Sequence, residues 1–333
     1  VNDLRIICTD QHIYNVARLV TDLCAAVSQG QPVNLRLENE SFVSCEGASL
    51  GTLGMYDILD HVSQLWPATP DLVTLYTGNF EECHDRYRVI NHPATYLVRH
   101  TIPRLRKYQC QTKSSQAKHF AVLIGRPSWG RLVLAANMYQ QHKAQSIVTF
   151  HYSSAEADKA HHLELDQIMT ECPDQLPLAA DFLAGCPRTL DQGYLRPPIT
   201  IETNSQISQL YDQFFVDIVA ETYVSGLSFF PTEKTMRPLI NHTPAVFFAP
   251  CGYVANLQRL GFKTWHQYWS EEYDQLEGWP RIQAILSIVN KLSQQSSQEL
   301  FAMWQDMEPL LTHNRQRALA IRETEFLLDH GQK

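Results

Sequence analysis

The chain has 333 residues, 44% of them hydrophobic and 19% charged, and a net charge of −8. This composition excludes a disordered chain, and the length exceeds one small core and suits two domains of ordinary size. No apolar run approaches the roughly 18 to 20 residues that cross a bilayer, the opening VNDLRIICTD lacks the marks of a signal peptide, and the eight cysteines include no C-x-x-C pair, so a cytoplasmic protein with free thiols is expected.

LRIICT (4–9) reads as a buried strand. Residues 11–29 set Ile13, Val16, Val20, Leu23 and Val27 at helical spacing, with Gly30 as a stop. A strand at 32–38, a helix at 53–66 and a strand at 71–77 follow. This alternation implies a parallel sheet with helices on its faces. No G-x-G-x-x-G follows the first strand, so the dinucleotide fingerprint is absent.

The polar, basic stretch RKYQCQTKSSQAKH (106–119) reads as a domain boundary. The alternation then restarts with a strand at 120–125, a helix at 131–142 and a strand at 146–152. An acidic, Pro-containing stretch at 156–200 precedes a helix at 207–215 and strands at 216–222 and 244–250. A helix at 253–260 is closed by Gly261, suited to a left-handed cap. The aromatic-rich stretch 261–279 reads as a packed connector to a helical tail. In that tail 281–292 is one helix, and Ser296 with Glu299 forms a capping-box pattern that opens another. The expected class is α/β: two Rossmann-like domains, 1–115 and 116–280, with C-terminal helices over 281–333. Ligands of such pairs bind between the domains, at the carboxyl ends of strands.

Charge is unevenly spread. No Asp or Glu lies between Arg86 and Ala155, while eleven of the 27 Lys and Arg residues do. Such a segment suggests an anionic partner. Arg99, Arg104, Arg106, Lys107, Lys113 and Lys118, near the boundary, are candidates to track a polyanion such as a nucleic-acid backbone.

Two stretches carry candidate chemistry. In LIGRPSWGR (123–131) a strand ends and a helix begins, and Arg126, Ser128 and Arg131 stand where helix N–H groups and guanidinium groups would bind phosphate. In VAETYVSGLSFFPTEKTMRPLINHTP (219–244) Glu221 falls at a strand's carboxyl end, and Thr232, Glu233, Lys234 and Thr235 lead into a helix expected from near Thr235, with Pro238 in its first turn. A carboxylate suits a ribose diol and an ammonium suits a diphosphate, so the pair describes a nucleotide-diphosphate site. No D-x-D occurs, and HHLELD (161–166), with His161, His162, Glu164 and Asp166, reads as an exposed helix face, so no metal and no resident cofactor is expected.

GLSFFPTEKTMRPLINHTPAVFF resembles the donor-binding stretch of α-1,3-fucosyltransferases, which are GT-B-type glycosyltransferases; the likeness covers about 120–250. EG at 46–47, LGMYDILD at 53–60, FFPTEKTMRPL, LGFKTW at 260–265, EEYD at 271–274 and HNR at 313–315 resemble, over more of the chain, a group of phage-encoded glycosyltransferases. The resemblance implies that Lys234 and Arg131 hold the donor diphosphate, Glu233 the ribose, and that Glu221 faces the donor sugar. The family's base is a Glu of the first domain; Glu46 is the candidate by position, ahead of His84, Asp85 and His92.

The function expected is a metal-independent, inverting hexosyl- or pentosyltransferase with a nucleotide-sugar donor, a UDP-sugar before a GDP-sugar. The acceptor expected is hydroxymethyl-pyrimidine DNA, which would place a viral enzyme in the host cytoplasm. A surface or capsular glycan is the competing acceptor. A non-catalytic nucleotide-binding or nucleic-acid-binding protein is the competing class.

Overall fold

A computed structural model describes residues 2–9, 12–13, 16–39, 55–77, 84–91, 102–106, 113–125, 127–152, 161–189, 207–226, 229–322 and 328–330. The chain forms two compact units, and neither is continuous in sequence. One comprises residues 1–101, 226–232 and 321–333; the other comprises 102–225 and 233–320. The sequence reading had 281–333 as one tail, whereas its helices belong with the second unit and its last residues with the first.

The first unit holds strands β1 (Asn2–Thr9), β2 (His12–Ile13), β3 (Val33–Asn39), β4 (Val73–Thr77), β5 (Arg88–Asn91) and β10 (Leu328–His330), in the order β10-β5-β4-β3-β1-β2. The four central strands are parallel, and the short edge strands β2 and β10 pair antiparallel. Leu4, Leu35, Leu75 and Val89 fall in one cross-strand row. Helices Val16–Ser28 and Met55–Leu65 cover that row with Leu19, Leu23 and Val27 and with Met55, Leu59 and Val62. Spacings of three and four place each trio on one helix face.

The second unit holds β6 (Lys118–Ile124), β7 (Ser146–Phe150), β8 (Phe214–Ala220) and β9 (Ala245–Phe248), all parallel, in the order β7-β6-β8-β9. Every residue of β8 is buried, as a central strand covered on both faces requires. β8 starts two residues before the expected strand. Phe214 and Phe215, an apolar pair that fits a helix or a strand, belong to it rather than to the preceding helix. Chain order reverses between β6 and β8, so this sheet has its topological switch point there.

Helices Trp129–His142, His161–Glu171, Leu176–Ala184, Glu233–Ile240 and Tyr253–Arg259 link or follow these strands, and Gly278–Ser293, Ser297–Asp306 and Glu308–Ala320 pack within the same unit. Gly261 has the expected left-handed φ of 85°. The capping box is formed: Ser296 Oγ accepts from Glu299 N at 3.2 Å, and Glu299 Oε2 accepts from Ser296 N at 2.7 Å. The aromatic stretch is a packed connector with Trp265, Trp269 and Tyr273 buried. No helix among the described residues is long and apolar enough to cross a membrane.

Candidate functional site

The switch point brings the loop after β6 beside the residues after β8. Gly130, in the first turn of the 129–142 helix, lies against the end of β9: a Cβ there would sit 2.7 Å from Phe248 Cζ. This close approach lets Arg131 reach across and donate to the Glu221 carbonyl. Arg131 is 6% exposed. Its guanidinium therefore ties the start of this helix to the residues after β8. Ser128 stands at the N-cap but makes no capping bond, and Arg126 lies outside the described residues.

Glu221 is buried and fully engaged. Its Oε2 accepts from the Thr222 N–H at 2.9 Å. Its Oε1 accepts from the Thr235 N–H at 3.2 Å, the Thr235 hydroxyl at 2.6 Å and the Tyr253 hydroxyl at 3.2 Å. A helix leaves its first N–H groups without intrahelical partners, and Glu221 meets one of them from 14 residues away. Burial and the Glu221 charge push the Tyr253 phenol well above its ordinary range. The Glu221 oxygens are taken by protein donors, and the residue anchors the 233–240 helix.

That helix begins at Glu233, two residues before the expected start, so Pro238 sits inside it. Pro238 has no N–H to offer the Lys234 carbonyl. The far end is secured from outside: Arg315 donates to the Ile240 carbonyl, and Trp304 Nε1 donates to the His242 carbonyl at 2.8 Å. Thr232, just ahead of the helix, is buried.

Glu233 and Lys234 point to the same region. Lys234 Nζ lies 2.9 Å from Thr222 Oγ1 and 3.4 Å from Glu233 Oε1, and Arg237 approaches the same oxygen to 3.9 Å. Burial alone would raise the Glu233 carboxyl, but the charges of Lys234 and Arg237 outweigh it and hold the group at about 2. Glu233 is therefore ionised throughout the physiological range. Lys234 keeps 23% of its side chain exposed, against 14% for Glu233 and 6% for Arg237. Of these three it is the group most accessible to a ligand.

Of the basic candidates, Arg106, Lys113 and Lys118 have described side chains. Lys113 is buried, and its ammonium donates to the Tyr211 and Phe214 carbonyls and to Thr243 Oγ1. It braces the entry to β8 and is withdrawn from the polyanion set. Lys118 donates to the Ala144 carbonyl, and Arg106 to that of Leu319 at 3.1 Å. Arg99, Lys107, the Arg104 side chain, Glu46 and His92 lie outside the described residues. His84 stacks on Tyr56 at 4.1 Å, and Asp85 is exposed. No group of three potential metal ligands occurs among the described residues, and the side chains of 161–164 lie outside them.

Four residues near this site escape a sequence reading: Tyr211, Asp217, Arg237 and Tyr253. Asp217 alone leaves a signal, as the one charge in FFVDIVA. The others acquire meaning from partners up to 32 residues away. Comparison with protein-family models and with curated proteins gives no match.

Proposed function

We propose that the chain is a glycosyltransferase of GT-B type, moving a sugar from a nucleotide-sugar donor to an acceptor hydroxyl. The observation that carries this reading is the Glu233–Lys234 pair on the helix that follows β8. An ionised carboxylate and a partly exposed ammonium stand 3.4 Å apart there. Both are held from behind, Lys234 by Thr222 and Glu233 by Arg237. Open α/β sheets bind ligands outside the carboxyl ends of their strands at a switch point.

In this proposal Lys234 takes the donor diphosphate and offsets the charge that develops on it as the sugar departs. Glu233 accepts from the ribose hydroxyls. Glu221 and Arg131 act behind them, fixing the helix and the loop. Glu46, chosen from the sequence alone, is the proposed base that removes the acceptor proton. The donor is a UDP-sugar before a GDP-sugar. The acceptor is the hydroxyl of a hydroxymethyl-pyrimidine in DNA before that of a surface glycan. The burial of Lys113 leaves the DNA reading to the other cations of the acid-free segment.

Thermal stabilisation by UDP, GDP, CMP and their sugar conjugates tests the reading. A ligand at about 100 times its Kd adds roughly 2.7 kcal/mol. The expected result is a shift with one nucleotide, lost in Lys234→Ala with the fold intact, and sugar transfer lost with it. Stabilisation without turnover on DNA or glycan acceptors would favour a non-catalytic nucleotide-binding protein. A panel with no shift at all would remove the nucleotide reading of Glu233 and Lys234.

A further inference from the structure

β8 carries a single charge, Asp217, buried at 3% exposure in the middle of the strand. Its register partners are Ala121 on β6 and Ala245 on β9, so the sheet offers it no counter-charge. Tyr211 donates to Asp217 Oδ2 at 2.7 Å, the one hydrogen bond this carboxyl makes among the described residues. Asp217, Tyr211, Lys234 and Arg237 line a small cleft together with Leu123. Among the described residues, the charges that act on Asp217 are Arg237 of the 233–240 helix and Lys113 ahead of β6, with Lys234 on the same cleft and Glu233 beyond Arg237.

We propose that Asp217 is a positioning residue and the charge switch of the nucleotide site, taking up a proton when an anionic ligand settles on Lys234. The proposal rests on the reading of Lys234 as a phosphate ligand. The charge count around the cleft supplies the reason. Among the described residues, Lys234, Arg237 and Lys113 against ionised Glu233 leave two positive charges. An ionised Asp217 cuts them to one, and a neutral Asp217 restores the second. An arriving diphosphate therefore favours the protonated form. The proton comes from solvent and goes to Oδ1, the oxygen that Tyr211 does not hold, and no bond to carbon changes. Burial raises the Asp217 carboxyl to about 7, against the pull of Tyr211, Arg237 and Lys113, so both forms are accessible near neutrality. One unit charge about 10 Å from an anion at a protein surface is worth on the order of tenfold in affinity.

The test compares the wild type with Asp217→Asn, which keeps the shape and removes the charge. UDP-glucose is the probe, because its diphosphate does not titrate near neutrality. Calorimetry at pH 7 in two buffers of different ionisation enthalpy should show proton uptake on binding in the wild type and none in Asp217→Asn. At pH 8.5 the variant should bind roughly tenfold more tightly than the wild type, and at pH 5.5 equally well. A second readout needs no ligand. A carboxyl raised by folding contributes stability that is present below the ordinary carboxylate range and lost as pH rises through about 7. The Tm of the wild type should therefore fall relative to Asp217→Asn between pH 5 and pH 8. If that variant does not fold, Tyr211→Phe removes the hydrogen bond and should move the same transition to higher pH. Parallel Tm curves would overturn the switch whatever the nucleotide does. Diverging curves with UDP-glucose bound and no proton uptake would also overturn it. Diverging curves with no binding of UDP-glucose, nor of any other nucleotide of the panel above, would sink the nucleotide reading and the coupling with it.

Discussion

A carboxylate taken out of water needs donors, and Glu221 draws them from three elements. The Thr222 N–H lies beside it, Thr235 supplies an N–H and a hydroxyl from the next helix, and Tyr253 adds a hydroxyl from the helix after β9. Hydrogen bonds to a charged acceptor contribute about 1.5–3 kcal/mol net, and removing the acceptor strands its donors. Glu221→Ala should thus destabilise the protein by roughly 3 kcal/mol, read as a lower midpoint in urea. Lys234→Ala, at a partly exposed side chain, should leave that midpoint near the wild-type value. A normal midpoint for Glu221→Ala would return Glu221 to the candidates for substrate contact. The sequence places this residue correctly at a strand's end. It cannot reveal that the oxygens are occupied, because the donors arrive from 14 and 32 residues downstream.

At the level of elements, local propensity and tertiary packing compete most openly at Gly130. Alanine is a better helix former than glycine by about 1 kcal/mol. Yet a Cβ at position 130 would meet the buried Phe248 ring at 2.7 Å. Overpacking of this kind costs about 1–3 kcal/mol, so Gly130→Ala should lower Tm. It should also loosen the Arg131 tie to Glu221, visible as faster exchange of the amides that follow β8. A rise in Tm would mean that Phe248 gives way and that the close approach is incidental.

The helices and parallel strands are legible where their apolar periods are clean, as at Leu23 and Val27, whereas Ile13, read into the same helix, lies in β2 and Leu19 rather than Val20 completes the buried face. The ends are not. Pro238 suggests a later helix start, but Glu221 supplies an acceptor to the unpartnered N–H groups of the first turn and lets the helix begin at Glu233. The motifs LGFKTW, EEYD and HNR enter the sequence analysis as points of resemblance, and their described contacts are architectural. Asn314 accepts from the Lys263 N–H and donates to its carbonyl, both at 2.8 Å. Asp274 accepts from the Val254 and Ala255 N–H groups at the start of their helix and pairs with buried Arg281 at 3.2 Å. Glu271 accepts from the Trp265 N–H at 2.8 Å.

At the scale of the whole chain, the division into two units crosses the sequence four times, at 101/102, 225/226, 232/233 and 320/321. A linear reading finds composition changes between consecutive segments, so it places a boundary in the polar stretch near 115 and leaves one tail. It has no means of seeing that residues 321–333 return to the first unit, because LDH is too short to announce a strand. That return has a measurable consequence. β10 pairs antiparallel with β5 through Leu328–Asn91, Asp329–Ile90 and His330–Val89, and Ile321 is buried nearby in sequence. Without residues 321–333, β5 becomes an edge strand with unpaired backbone groups. Amide exchange in the truncated chain should then accelerate at Arg88–Asn91 while β6 and β8 keep their protection. Such selectivity follows if each unit opens with its own free energy. Unchanged protection at β5 would mean that β10 adds nothing to the first sheet. Equal loss in β8 would mean that the units unfold as one, and the proposed nucleotide site would then depend on a strand far from it in sequence.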